Sequence, residues 1–146
     1  MPIFHQQSRT DLRRIYVDAW RKYRNSEPLE PLQAQVARLI AEHPEYHELF
    51  EAEVPAVEAE FLPDGGAENP FLHLGLHLAI REQVSTDRPA GIRALHASLS
   101  SRLGSAHQAE HRMLDILGEI LWESQRAGTP PDEALYLKRL ENLERA

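Results

Sequence analysis

The sequence predicts an all-α protein, a multi-helix antiparallel bundle of about six to seven helices in a single domain over residues 1–146. Three observations carry this. Apolar residues recur three and four apart along almost the whole chain, the period of a helix with one buried face. No alternation of apolar and polar residues, the mark of a half-buried strand, survives beyond a few positions. The connections are short and punctuated by proline and glycine, which favours antiparallel neighbours.

Leu12, Ile15, Tyr16, Ala19, Trp20 and Tyr23 form the stripe of a first helix over residues 9–24, and Pro28 and Pro31 bracket the turn after it. A second stripe, Leu32, Val36, Leu39 and Ile40, ends on His43, which places a histidine on an apolar face. Pro44 suits the first position of a third helix, where its missing N–H is no loss. That helix is expected to reach about Leu62 with a bend at Pro55, before a loop from Pro63 to Glu68 containing Gly65-Gly66. Asn69-Pro70 is a cap followed by a first-turn proline. The helix from Pro70 to about Val84 is apolar nearly all round, as a central, buried helix would be. Asp87 to Pro89 interrupt the pattern. A fifth helix then carries Ile92, Leu95, His96, Leu99 and Leu103 on one side and stops at Gly104. Ser105 with Gln108 resembles a capping box opening a sixth helix that runs to Arg126, before Gly128. Thr129-Pro130-Pro131 opens a last short helix carrying Leu137, Leu140 and Leu143.

Composition excludes several functions. A chain of 146 residues with 42% hydrophobic and 27% charged content can bury a substantial core. The formal net charge of −7, with no basic stripe to offset it, argues against nucleic acid and anionic lipid as partners. Cysteine is absent, which removes disulfides and thiolate metal sites and suits a cytoplasmic setting. The first ten residues lack the apolar run of a signal peptide. The longest apolar stretch, Phe71 to Ile80, is broken by two histidines and too short to cross a bilayer, so no membrane partner is expected. Gly65-Gly66 lacks the rest of a nucleotide-binding fingerprint.

The chemistry-bearing residues are histidines. Of 8 in the chain, six form pairs four apart: His43/His47, His73/His77 and His107/His111. Random placement gives roughly 0.4 such pairs. Spacing of four puts both rings on one helical face, where they can reach one ion or an adjacent pair of ions. Glu110 falls within the apolar arc of its helix beside Met113, Leu114 and Leu121, and a carboxylate facing a core needs a partner. The candidate ligands are therefore His43, His47, His73, His77, His107, Glu110 and His111, with His73, His77, His107 and His111 expected to lie close together. Glu51 rotates toward solvent and ranks second, Glu53 faces inward, and Glu82 points away. His96 is expected as a hydrogen-bonded core residue and His5 as exposed, while Trp20, Tyr23, Tyr46 and Trp122 are expected in the core. The competing interpretation of the pairs is a network of mutually hydrogen-bonded buried histidines that holds helices in register.

The segments His43-Pro-Glu-Tyr-His47, Asn69-Pro-Phe-Leu-His-Leu-Gly-Leu-His77 with Glu82-Gln83, Asp87-Arg-Pro89 and His107-Gln-Ala-Glu-His111 together resemble a bacterial domain-of-unknown-function family, number 1841. The resemblance spans nearly the whole chain and implies a single-domain bacterial protein without supplying a reaction. A looser, architectural resemblance is to hemerythrin-like di-iron bundles, whose HxxxE and HxxxH motifs face a shared centre. His47 to Glu51 and His73 to His77 match that spacing, but the first helix holds no such motif and the sixth has HxxEH where that family has HxxxxD. His107-Gln-Ala-Glu-His111 also matches the HxxEH of inverted zinc proteases, although only 35 residues follow His111.

Two functions follow as expectations. One is a helical protein binding a divalent metal, iron or zinc and as one ion or a di-iron pair, with a small ligand such as oxygen or peroxide at the metal. Glu110 would then be a bridging carboxylate or a partner that fixes an imidazole tautomer. The alternative is a metal-free interaction or adaptor protein whose histidines are structural. Hydrolysis would need a base, for which Glu110 is the one placed candidate. Assembly as a homo-oligomer is compatible with either.

Overall fold

The computed structural model describes residues 2–52 and 69–146, with side chains from Thr10 onward in the first helix. Among the described residues there are seven α-helices, one 3-10 turn and no strand: α1 (Pro2–Arg24), α2 (Pro31–Ala41), the 3-10 turn Pro44–Tyr46, α3 (His47–Glu51), α4 (Pro70–Thr86), α5 (Ile92–Leu103), α6 (Ala106–Ala127) and α7 (Glu133–Arg145). The all-α class is as the periodicity predicts. The expected bend at Pro55, the helix to Leu62, the loop with Gly65-Gly66, the inward Glu53 and the side chain of His5 lie outside the described residues. Two compact units form, residues 1–74 and 75–146, and α4 runs through the division as one helix. No helix of the described residues is long and apolar enough to cross a membrane.

In the first unit α1 packs on α2 and α3. The core holds Val17, Ala19, Trp20, Val36, Ala37, Leu39, Ile40, Tyr46, Phe50 and Leu74. Helix α1 starts at Pro2, earlier than the apolar stripe suggests, and its buried face is rotated from the expected one. Leu12 is 59% exposed and Tyr23 48%, whereas Arg13 is buried. The reason is that the Arg13 guanidinium lies 4.7 Å from the centre of the Phe71 ring, so a long basic side chain supplies contact area that an apolar count overlooks. Tyr23 instead stacks on Trp20 at 5.4 Å between ring centres. Pro44 opens a 3-10 turn, and a five-residue α3 follows.

In the second unit the core is Ile80, Ile92, Leu99, Ala109, Met113, Leu114, Leu117, Ile120, Tyr136 and Leu140. Helix α6 is set at both ends by local chemistry. The Ser105 hydroxyl accepts from Gln108 N at 3.1 Å, and Gly128 takes a left-handed φ of 67° that a side chain would strain. Asp87 accepts from Gly91 N and Arg93 N, while the Arg93 guanidinium donates to the carbonyls of Val84 and Ser85 at the end of α4. Two expectations need correction. Trp122 is 57% exposed and lies beneath the Arg126 guanidinium at 4.7 Å, a surface pair one turn apart. Leu72, on the supposedly all-buried α4, is 60% exposed.

The last helix begins at Glu133, and the prolines Pro130 and Pro131 precede its cap. Asp132 is that cap, accepting from Leu135 N at 3.0 Å. Asp132→Ala should therefore cost about 1 kcal/mol, seen as a lower midpoint in urea unfolding with an unchanged slope. An unchanged midpoint would mean that α7 is held by the packing of Tyr136 and Leu140 alone.

Candidate metal centre

Helix α2 ends on the first pair of histidines, and both rings return to it. The last carbonyls of a helix have no partner within it. His43 Nδ1 donates to the Leu39 carbonyl at 2.7 Å, and His47 Nε2 donates to the Ile40 carbonyl at 2.7 Å. In a neutral imidazole one nitrogen donates and the other accepts, so these bonds fix the tautomers. His43 presents Nε2 as its lone-pair nitrogen and His47 presents Nδ1. His43 is fully buried, stacks on Tyr46 at 5.6 Å between ring centres, and meets the His73 ring edge-on at 5.1 Å. His47 is half-buried and packs on Trp20 at 4.5 Å.

Helix α4 carries His73 and His77 one turn apart, both buried. Asn69 starts this helix by accepting from Phe71 N and Leu72 N, and the i, i+4 spacing then puts both rings on one face.

In the second unit the His77 ring meets His111 edge-on at 4.9 Å and stacks with His107 at 6.0 Å, while His107 and His111 lie 4.3 Å apart. His77 Nδ1 donates to Glu110 Oε1 at 2.9 Å, which leaves Nε2 as its lone-pair nitrogen. Arg81 Nε donates to both Glu110 oxygens, at 3.2 and 3.4 Å, and His96 Nε2 lies 3.8 Å from Oε2. Burial pushes the Glu110 carboxyl up, but the bond from His77, the nearby His96 ring and the charge and bond of Arg81 outweigh it. The net result is a carboxyl held well below the usual carboxylate range. Glu110 is therefore an ionised, buried anion with named partners.

The histidines of the candidate set thus offer ligand atoms in close neighbouring pairs. His43 with His73 in the first unit, and His77 with His111 in the second, each present ring nitrogens within 4.8 Å of one another. Two metal–nitrogen bonds of about 2.0–2.1 Å span about 4 Å at most, so paired rings would draw together around an ion. Buried histidines so arranged could hold a metal ion.

A family described as a domain of unknown function (DUF1841) matches residues 8–142. The chain belongs to this family. The match takes in each candidate ligand from His43 to His111. No curated protein and no solved structure matches the chain. Membership in DUF1841 names no reaction, so the chemistry of this member has to be argued from its side chains.

Within this DUF1841 chain the expected residues fall into distinct roles. His43, His73, His77 and His111 present nitrogens to their neighbours as above. His107 lies beside His77 and His111 as expected, but stands outside that set. His47 has its Nε2 on a backbone carbonyl and its ring on Trp20. Glu51, the second-rank candidate, is exposed and pairs with Arg24 at 3.7 Å. Glu110 is hydrogen-bonded to His77 and Arg81. Two participants were missed. Arg81 is one turn after His77 on the same helix, a spacing that could have exposed it. His96 was assigned to the core, and only the fold brings it near Glu110.

Proposed function

We propose that this protein binds a divalent metal ion, zinc or iron, through ring nitrogens of its neighbouring histidines, His43 with His73 in the first unit and His77 with His111 in the second. The observation that carries the proposal is that these imidazoles, buried at His43, His73 and His77 and half-buried at His111, bring neighbouring ring nitrogens within 4.8 Å. Two tautomers support it. His43 and His77 each hold Nδ1–H on an oxygen, of Leu39 and Glu110 respectively, which leaves Nε2 as the donor. An imidazole anchored through its second nitrogen is the usual arrangement of a metal ligand. Glu110 acts through His77 as a positioning residue, since its charge makes that ring a stronger donor.

A nitrogen-only set suits one ion better than a di-iron pair. Carboxylate-bridged pairs need glutamates in the ligand set, and Glu110, the one buried carboxylate among the described residues, is bonded to His77 and Arg81. The same bond argues against an inverted-protease role, because a carboxylate held by two donors is poorly placed to take a proton from water.

The competing reading, a metal-free adaptor, has its own observation. The ring bonds of His43 and His47 to α2 and of His77 to Glu110 would also serve a purely structural network. Elemental analysis of protein purified without a polyhistidine tag separates the two. The metal reading expects close to one equivalent of zinc or iron and a lower melting temperature after chelation. Trace metal with unchanged melting would favour the adaptor.

A further inference from the structure

A dication surrounded by uncharged ligands keeps its charge, and an unbalanced buried charge is expensive. Imidazole ligates in its neutral form, so His77 and His111 bring no negative charge to an ion that they hold. The chain contains 0 cysteines, so no thiolate can supply it. Glu110 is the one buried carboxylate among the described residues, and its charge is already faced by Arg81 Nε at 3.2 and 3.4 Å. That ion pair is close to neutral as seen from His77, the ring it touches.

We infer that the ion takes a small anion as its remaining ligand, and that the Glu110–Arg81 pair sets how tightly that anion is held. The inference rests on the metal reading above and adds the chemical class of the ligand. Glu110 reaches the ion through one imidazole, so a change in its charge is felt at the metal with little intervening water. Removing the carboxylate charge leaves Arg81 unmatched and favours an anion. Removing the guanidinium does the opposite. The two effects have opposite signs, whereas loss of a merely structural pair would weaken the fold in both variants alike.

The test uses the full chain loaded with cobalt(II), whose visible bands report its ligands, and titrated with sodium azide. The wild type should show a saturable one-to-one spectral change. Glu110→Gln, uncharged and of the same shape, should bind azide on the order of tenfold more tightly. Arg81→Gln should bind it more weakly by a similar factor. The Arg81 side chain is 30% exposed, so its replacement is tolerated and decides the matter alone should Glu110→Gln fail to fold. A wild-type spectrum indifferent to azide would overturn the inference, as would variants that bind azide like the wild type. A wild type that takes up no cobalt would overturn the metal reading itself, and this inference with it.

Discussion

His77→Ala should remove the bound metal and also lower the stability of the metal-free protein by about 3 kcal/mol. Both effects follow from where the ring sits. It is 0% exposed, so its loss leaves a cavity that the packed helix cannot close. It also donates to Glu110, and without it a buried carboxylate keeps only Arg81 and the more distant His96. The metal effect comes from its place on α4, one turn from His73 and edge-on to His111. Metal content and thermal melting, with and without chelator, separate the two contributions. Full metal occupancy in the variant would exclude His77 as a ligand, whatever the melting curve showed.

Acid should act on this protein in two stages of different origin. The first concerns metal. Protons compete for ligating imidazoles, so below the ordinary imidazole range of about pH 6.5 each ligand costs up to roughly tenfold in apparent affinity per pH unit. More than one histidine ligand makes that fall steep, and bound metal should be lost over about one pH unit. The second stage belongs to Glu110. Its folded carboxyl is held below the usual range, so its contribution to stability is present above the unfolded value of about 4.3 and is lost as pH falls toward the folded one. In chelated wild type, the Glu110 contribution should be constant from pH 7 to 5 and decline below that. Glu110→Gln should start less stable and decline less. Thermal melting from pH 3 to 8, with and without zinc, checks both stages. Zinc dependence that persists unchanged at pH 5 would exclude a histidine site, and parallel acid curves for the wild type and Glu110→Gln would exclude the carboxylate.

What the sequence exposed and what it hid divide along a physical line. Helix ends were legible where one residue fixes them. Ser105, Gly104, Gly128 and Asn69 act through a hydroxyl, a left-handed φ or an amide oxygen, and each does so at the position expected. The histidine pairs were legible because spacing of four is a property of one helix. The buried face of α1 was not, because Arg13 buries its length against an aromatic ring while counting as polar. Asp132 was hidden behind Pro130 and Pro131, which mark a helix start but do not say which residue caps it. The role of Glu110 was narrowed to two by its place in an apolar arc. Its hydrogen-bond partner Arg81 and its neighbour His96 come from α4 and α5, which no single-helix pattern contains.

The two histidines at the end of α2 carry a warning for anyone reading function from variant effects. A scan that scores every substitution for protein abundance or metal uptake would rank His43 and His47 together, since each ring closes a carbonyl of the same helical turn. Loss of His47 leaves the Ile40 carbonyl to His43 N and strips a neighbour from Trp20, so the turn that presents His43 should loosen with it. A residue outside the proposed ligand set would then score as a ligand. Asparagine at position 47 is the informative replacement, because its amide can still donate to that carbonyl while the aromatic ring is gone. Comparing it with alanine at the same position separates the carbonyl bond from ring packing, before any coordination is inferred.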